Sequence, residues 1–297
     1  MTPVFALAFD HRNSFRRGFM QLAADPTPEQ LGRMVAAKGV VVDALLRAAA
    51  QVRGGRPALL IDAEYGGRYV DAARSGGVAV AMPVEVSGRR ELSFEYEGDF
   101  ATVIEAYQPD FAKVLVRYNP DGDREMNARQ RQRLRALVRW LDGRPQQLML
   151  ELLVPPEKEQ LTAVGGDRLR YDRELRAELT ARAVVEIAGD GVRPPLWKIE
   201  GPETAADARL VAAAVRDVRQ DSGCLVLGRG ADPAAVRRWL ATAAGVTGFC
   251  GFAVGRTLWW DPLRDVMAGG DRDAAVQAIA DHYLDLVRTY AAVIPAG

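Results

Sequence analysis

The stretch "LWKIEGPETAADARLVAAAVRDV", residues 196 to 218, contains one short apolar strand followed by one amphipathic helix. The helix begins after "TAAD", where a threonine cap and an aspartate three residues later satisfy amide groups of the first turn. Its apolar side chains recur at spacings of three and four residues, which gives the helix a single buried face. The stretch therefore predicts one strand and helix unit whose helix packs on a sheet.

Further units of this kind follow one another along the whole chain. The predicted strands are residues 4–10, 58–64, 78–85, 111–118, 148–154, 196–200, 224–228 and 248–255. Eight strictly alternating units favour a closed parallel barrel over an open doubly wound sheet. The open alternative also lacks its glycine-rich nucleotide loop, since "DHRNSFRRG" follows the first strand. The sequence thus predicts an α/β protein, a single (β/α)8 TIM barrel, with residues 1–297 forming one domain.

The composition is that of an ordinary globular protein. The 297 residues are 48% hydrophobic and 26% charged, and the formal net charge is zero. Because there is no basic excess, we expect neither a nucleic-acid partner nor an anionic membrane partner. Apolar stretches are too short for a signal peptide or a membrane span, so a cytoplasmic location is expected. Cys224 and Cys250 lie in apolar strands and are expected to be buried thiols rather than a disulfide or metal site.

Lysine is rare in this chain. Only four of its 39 basic residues are lysines, and the others are arginines. An ε-amine can lose its proton and attack a carbonyl, whereas a guanidinium stays charged, so these lysines are candidates for chemistry. Lys38 lies in a helical stretch and Lys158 in a polar loop, and both are expected to be solvated. Lys113 and Lys198 lie inside apolar strands.

Side-chain direction indicates which charged residues enter the barrel. Side chains alternate across a strand, and the side that faces the helices must be apolar. Trp197 and Ile199 take that side in the sixth strand, which directs Lys198 inward. The same reasoning directs other ionisable residues inward, namely Asp10, Asp62, Glu64, Lys113, Arg117, Glu151 and Glu200. Buried ion pairs that only fix the fold, such as Lys113 with Glu151 or Lys198 with Asp10, are the alternative to a catalytic site.

This set of residues suits catalysis by an amine. A dry site beside a second ammonium, that of Lys113, favours the neutral amine of Lys198, which can attack a ketone to form an iminium. The iminium then stabilises the carbanion that forms when a carbon–carbon bond breaks. Carboxylates must move protons in these steps, and Glu151 and Asp10 are the candidates. The predicted catalytic residues are therefore Lys198, Lys113, Glu151 and Asp10, with no cofactor and no metal.

The last two predicted strands end in glycine and arginine pairs, "LGRGAD" at 227–232 and "VGRTLWW" at 254–260. Loops after strands seven and eight of such barrels commonly bind phosphate. The candidate substrate-binding and phosphate-binding residues are Gly228, Arg229, Gly230, Gly255, Arg256, Asp62 and Arg12. A solvated side chain is the alternative for Arg229. His11 follows Asp10 and is expected to face away from the barrel, in a hydrogen bond to the helix layer or a loop.

Two polar loops on the same face, residues 86–99 and 155–174, exceed a minimal connection. Each is either a lid over the site or an elaboration without a catalytic role.

The chain resembles the class I aldolase-like domain at the C-terminus of 5-dehydro-2-deoxygluconokinases. The resemblance rests on "LAFDHR", "KVLVRYNPDGD", "LELLVPP", "WKIEGP" and "GFAVGRTLWW", in that order along nearly the whole chain. Tagatose-bisphosphate and sulfofructose-phosphate aldolases are more distantly similar. The resemblance implies a Schiff base at Lys198, supported by Lys113, Glu151 and Asp10, with phosphate at Gly255 and Arg256. It also implies cleavage of 6-phospho-5-dehydro-2-deoxy-D-gluconate to dihydroxyacetone phosphate and malonate semialdehyde.

Other readings of the residues remain open. A divalent-metal lyase would use Asp10, Asp62, Glu64 and Glu200 as oxygen ligands. A barrel that binds a sugar phosphate without turning it over is another alternative. In each case the expected partner is a small phosphorylated molecule, and self-association into a homo-oligomer is left open.

Overall fold

The structure is a computed structural model that describes residues 1–95 and 99–293. Eight parallel strands form a closed barrel in chain order, which confirms the predicted (β/α)8 TIM barrel. The strands are β1 Val4–Phe9, β2 Arg56–Ile61, β3 Ala79–Pro83, β4 Phe111–Arg117, β5 Gln147–Leu153, β6 Leu196–Glu200, β7 Gly223–Leu227 and β8 Phe249–Val254. Residues 96–98 of the proposed lid loop 86–99 lie outside the described residues.

Helices connect the strands and cover the barrel. They are α1 Pro28–Ala49, α2 Ala63–Gly66, α3 Val70–Ser75, α4 Ala101–Tyr107, α5 Arg124–Leu141, α6 Lys158–Ala163, α7 Arg168–Glu174, α8 Arg176–Gly189, α9 Ala205–Val218, α10 Pro233–Ala244, α11 Arg256–Met267 and α12 Arg272–Ala291. The predicted cap at Thr204 is confirmed, since its side chain accepts an amide hydrogen bond at the start of α9. The side chains of Thr27 and Asp232 cap α1 and α10 in the same way. Within the described ranges, no helix is both long and apolar enough to cross a membrane.

Alternation along the strands separates two apolar layers. In β2, Leu59 and Ile61 belong to the large core between barrel and helices, whereas Ala58 and Leu60 belong to a smaller core inside the barrel. Both cysteines are buried, as predicted. Alanine is frequent among the inward side chains of β1 to β3, at Ala6, Ala8, Ala58, Ala79 and Ala81. These small side chains leave room at the mouth of the barrel for the longer charged ones.

Closure of the barrel depends on Gly251. Its φ of 129° lies in the range that favours glycine, and a β-carbon there would overlap the backbone carbonyl of Val4. β1 pairs with β8 from Val4 opposite Gly251 to Leu7 opposite Val254. This pairing brings Asp10, just after β1, and Gly255, just after β8, to the same rim.

Candidate active site

A cavity of about 510 Å³ opens at the C-terminal ends of the strands. Its walls include residues that end or directly follow seven of the eight strands, so side chains distant in sequence converge there. The predicted site residues that line it are Asp10, Arg12, Lys113, Glu151, Lys198, Gly228, Arg229, Gly230, Gly255 and Arg256. The position is the one at which barrel enzymes place their active sites.

Two lysines and three carboxylates form a connected charge cluster at the bottom of this cavity. Nζ of Lys113 lies 2.8 Å from Oδ2 of Asp10, 2.8 Å from Oε1 of Glu85 and 2.9 Å from Oε2 of Glu151. The same Glu151 oxygen lies 3.0 Å from Nζ of Lys198. The predicted inward direction of both lysines, Asp10 and Glu151 is therefore confirmed. Glu85 was not singled out in the sequence, although its place at the predicted end of the third strand was a usable signal.

Strand register explains why Glu151 meets Lys198. β5 and β6 pair so that Glu151 stands opposite Lys198, and both side chains point inward from neighbouring strands. On the other side of β5, Glu151 stands opposite Leu115 of β4, and Lys113 lies two residues earlier on the same inward row. The long side chain of Lys113 spans these two residues along the barrel, so its ammonium contacts the Glu151 carboxylate.

The two lysines differ in their electrostatic surroundings. Burial would lower the pKa of Lys113, but Asp10, Glu151 and Glu85 together hold that pKa well above its ordinary value. Lys113 is thus a fixed cation and a poor nucleophile. Among the described residues, Lys198 has a carboxylate contact only with Glu151. Of the two lysines that line the cavity, Lys198 therefore has fewer ion contacts to lose when it binds a ketone.

The two predicted proton carriers are held as carboxylates. Burial would raise the pKa of Asp10 and of Glu151, but the charges of Lys113 and Lys198 hold both pKa values below their ordinary range. Both groups are therefore proton acceptors at neutral pH. Glu151 contacts both ammonium groups, so a proton can pass directly from Lys198 to this carboxylate.

The loops after β7 and β8 form one corner of the cavity. The guanidinium of Arg256 donates a hydrogen bond to the carbonyl of Arg229 at 2.9 Å, which ties the two loops together. Gly255 sits so close to β1 that a β-carbon would overlap the carbonyl of Ala8. Helix α11 begins at Arg256, so amide groups of its first turn are available beside this guanidinium. The corner thus offers backbone donors and a cation to a phosphate.

Arg229 lines the cavity, but its charge is compensated within the protein. Its Nη1 lies 2.7 Å from Oδ2 of Asp172, and its Nε lies 3.1 Å from Oε1 of Glu200. The residue is exposed, as in the solvated alternative, but its charge is paired with carboxylates of the protein. Asp172 belongs to α7 in the long connection 155–174, so this arginine also ties that connection to the rim.

Lys38 and Asp62 form a buried ion pair outside the cavity, which corrects two expectations. Nζ of Lys38 lies 2.6 Å from Oδ2 of Asp62, and both side chains are fully buried. β2 ends at Ile61 and Asp62 caps α2, so its carboxylate turns away from the cavity wall and does not bind substrate there. The Lys38 ammonium is not solvated, since it also donates to the carbonyl of His11 at 3.1 Å.

Glu64 lies in α2 and is exposed rather than inward. Lys158 is exposed, as expected.

Arg12 and His11 also differ from expectation. Arg12 lines the cavity, but its guanidinium is bound to Glu95 and to the carbonyl of Glu85, at 2.7 Å from the latter. His11 lines the cavity, which was not expected, while its ring also packs against Trp259 of α11 in the helix layer. Burial lowers the pKa of His11 to about 3, and the positive charges of Lys38, Arg256 and Lys198 act in the same direction. The charge of Asp10 acts in the opposite direction but is outweighed, so the imidazole is neutral.

The carboxylates of the metal alternative are not assembled into one site. Asp62 and Glu64 lie away from the cavity, while Asp10 and Glu200 are engaged with Lys113 and Arg229. Within residues 1–95 and 99–293, no group of three or more His, Cys, Asp or Glu side chains is arranged to hold a metal ion. The geometry therefore favours the amine over these four oxygen ligands.

Comparisons with known proteins agree with the fold. The family model described as "Uncharacterized protein conserved in bacteria (DUF2090)" matches residues 1–293. No curated protein matches the sequence. The fructose-bisphosphate aldolase of Plasmodium falciparum, in complex with TRAP and a small-molecule inhibitor, is 10% identical, with a TM-score of 0.67 over 98% of this chain and 91% of its own.

Two further structures are similar to the chain. The fructose-bisphosphate aldolase of Slackia heliotrinireducens is 14% identical, with a TM-score of 0.56 over 94% of this chain and 86% of its own. A Schiff-base-forming fructose-1,6-bisphosphate aldolase is 15% identical, with a TM-score of 0.53 over 94% of each chain. At these identities the likeness shows that the fold is shared.

Proposed function

The chain belongs to the DUF2090 family, and we propose that it is a class I aldolase that cleaves a phosphorylated ketose through a Schiff base on Lys198. The observation that carries the proposal is the placement of the Lys198 amine in a buried cavity, 3.0 Å from Glu151. A structural neighbour named as a Schiff-base-forming aldolase supports the same chemistry on this fold.

In the proposed reaction the neutral amine of Lys198 adds to the ketone carbon and forms a carbinolamine. Glu151 contacts this amine, so it first takes a proton from the Lys198 ammonium, which frees the neutral amine. That proton and the one that nitrogen releases on addition both pass to the former carbonyl oxygen, which leaves as water. The product is an iminium. The cluster needs no external oxidant or reductant, because each of these steps only moves protons and a water molecule.

Cleavage follows when a carboxylate takes the proton of the hydroxyl beyond the bond that breaks. Asp10 has this role, since it is held ionised and contacts Lys113, the same ammonium that Glu151 contacts. The bonding electrons move into the iminium and form an enamine, and the other half leaves as an aldehyde. Protonation of the enamine and hydrolysis of the iminium then release the ketone and restore Lys198. Lys113 keeps the carboxylates ionised and in place.

The substrate phosphate is held at the corner formed by Gly228, Gly230, Gly255 and Arg256. The sequence resemblance makes 6-phospho-5-dehydro-2-deoxy-D-gluconate the preferred substrate, with dihydroxyacetone phosphate and malonate semialdehyde as products. The alternative substrates are the ketose phosphates of tagatose-bisphosphate or sulfofructose-phosphate aldolases. Dihydroxyacetone phosphate is the ketone product common to these reactions, so it serves as a probe for all of them.

Borohydride trapping tests the proposal. The protein is reduced in the presence of dihydroxyacetone phosphate, and the modified peptide is identified by mass spectrometry. We expect an adduct on Lys198 that is absent from Lys198→Arg and retained in Lys158→Arg, which alters an exposed lysine. An adduct on Lys113 would reverse the roles of the two lysines. Binding of the ketone phosphate without any adduct would favour the non-catalytic sugar-phosphate-binding barrel.

A further inference from the structure

The segment after β3 folds back on itself and carries two arginines to the cavity. Residues 84–95, here called the arginine hairpin, are joined by amide hydrogen bonds from Val86 to Ser93 at 2.8 Å and from Glu95 to Val84 at 3.1 Å. Gly88, with a φ of 80°, lies in its turn. The next two residues are Arg89 and Arg90, and both line the cavity.

The hairpin is fixed to α5 by a fork of hydrogen bonds. Arg129 donates to both carboxylate oxygens of Glu91, at 3.0 and 2.9 Å, and Arg133 also contacts Glu91. The amide of Leu92 donates to the side chain of Gln130 at 2.9 Å. Glu91 and Leu92 directly follow the two arginines, so these contacts hold the turn in one position.

The other end of the hairpin is fixed to the charge cluster. Arg12 binds Glu95, the last hairpin residue, and donates to the carbonyl of Glu85 at 2.7 Å. The carboxylate of Glu85 in turn contacts Lys113 at 2.8 Å. The hairpin is therefore anchored directly on the residues that surround the amine, and its arginines have a fixed place relative to Lys198.

Arg89, Arg90 and Arg117 place positive charge on this wall, without a nearby carboxylate among the described residues. Arg117 ends β4, lines the same cavity and donates to the carbonyl of Arg89 at 2.8 Å. Among residues 1–95 and 99–293, none of the three has a carboxylate oxygen within 4.0 Å, although Arg12 and Arg229 do. Arg90 and Arg117 also border a side cavity of about 210 Å³. Three guanidinium groups thus face open space.

This wall lies across the barrel from the phosphate corner. In a closed ring of eight strands, β3 and β4 stand opposite β7 and β8. Lys113, Glu151 and Lys198 lie on β4 to β6, between the two walls. A substrate whose phosphate binds at Arg256 and whose ketone meets Lys198 must extend its remaining carbons toward the arginine hairpin.

We propose that Arg89, Arg90 and Arg117 bind a second acidic group, a carboxylate or a phosphate, at the end of the substrate opposite the first phosphate. Guanidinium groups bind both kinds of acid through paired hydrogen bonds. The inference rests on the proposed function, which sets the orientation of the substrate in the cavity. It means that the arginine hairpin selects substrates by the half that is released as the aldehyde. That half leaves the enzyme with its acidic group attached.

Ligand binding tests this without depending on turnover. Affinity for 6-phosphogluconate, which carries a carboxylate opposite its phosphate, is compared by calorimetry with affinity for glucitol 6-phosphate, which ends in a hydroxyl. We expect the acid to bind roughly 10- to 100-fold more tightly, the range for hydrogen bonds to charged groups. In Arg89→Gln/Arg90→Gln and in Arg117→Gln this preference is lost, whereas binding of glucitol 6-phosphate is unchanged. Arg209→Gln, on the exposed face of α9, removes one positive charge, as Arg117→Gln does, and should keep the preference.

Glucitol 1,6-bisphosphate distinguishes the two acids, because tighter binding than 6-phosphogluconate would identify the second group as a phosphate. Equal affinity for the acid and the hydroxyl compound in the parent protein would overturn the proposal. So would an equal loss of both affinities in the hairpin variants. Borohydride trapping with dihydroxyacetone phosphate, which lacks a second acid, should still modify Lys198 in these variants. Failure of trapping in the parent protein speaks against the aldolase but leaves the binding comparison decisive for the hairpin.

Discussion

Replacement of Lys113 by methionine removes the cation on which the charge cluster converges. Its Nζ lies within 2.9 Å of oxygens of Asp10, Glu85 and Glu151, whose side chains are at most 10% exposed. Methionine retains an unbranched side chain of similar reach but cannot hold a charge. Three buried carboxylates would therefore lose the ammonium group that they share.

The expected loss follows from the burial of these groups. Breaking a buried ion pair by removing one partner costs about 3–5 kcal/mol, because the other charge stays out of water. Protonation of a carboxylate limits the penalty, since the neutral acid is much cheaper to bury. We therefore expect the free energy of unfolding of Lys113→Met to fall by about 3–5 kcal/mol near neutral pH.

The loss should depend on pH in a defined direction. In the parent protein the folded-state pKa values of Asp10 and Glu151 are depressed, so both groups stabilise the fold above their unfolded pKa values and lose this contribution as the pH falls. In Lys113→Met, burial still raises the pKa values of Asp10 and Glu151, but the ammonium of Lys113 no longer lowers them. Their folded-state pKa values therefore rise above the unfolded ones. The variant then takes up protons on folding. Its deficit relative to the parent is expected to be largest near neutral pH and to shrink toward about pH 5.

Urea unfolding followed by circular dichroism, at several pH values between about 5 and 7.5, measures the deficit. Lys158→Met, at an exposed lysine, is the matched control and should change stability little. A deficit below about 1 kcal/mol near neutral pH would mean that Lys113 does not support the three carboxylates. A deficit that stays constant with pH would refute the assignment of their charge states.

Three further predictions concern proton transfer, the ion pair beside the barrel and barrel closure. Glu151→Gln should lower kcat for release of dihydroxyacetone phosphate, measured with a coupled assay, by about 100- to 10,000-fold, because an amide cannot carry the proton; an unchanged kcat would assign that role elsewhere. Lys38→Met should lower the free energy of unfolding by about 3–5 kcal/mol by leaving Asp62 buried and unpaired. Thermal unfolding measures this loss, and adding Asp62→Leu to Lys38→Met should restore part of it. No recovery in the double variant would contradict the ion-pair account. Gly251→Ala should cost more than about 2 kcal/mol through overlap with the Val4 carbonyl, and an unaltered melting temperature would argue against it.

Most of the charge cluster was predictable from one strand at a time. Apolar residues at every second position of β6 and β4 require Lys198 and Lys113 to face inward, whatever the neighbouring strands do. Glu151 follows from β5 in the same way. The glycine and arginine pairs after β7 and β8 were predictable because this fold brings those two loops together.

Expectations failed where a residue lies just beyond a strand. Asp62 was assigned to a continuing strand, but it caps a helix and its side chain meets Lys38 instead of the cavity. The sequence around Lys38 gave no sign of this partner, since the two residues are 24 positions apart on different elements. Arg229 and Asp172 likewise meet only because a long connection crosses the rim.

The sequence by itself determined the eight strand and helix units, the closed barrel and the inward rows that contain Lys113 and Lys198. These features follow from local periodicity, because a strand exposes alternate side chains to each face and a helix exposes one stripe. Only the tertiary structure decided which charges are compensated and which remain open to a ligand. That distinction depends on distances of a few ångströms between separate loops and strands, and they are set when the ring closes and fixes the register of each strand against the next.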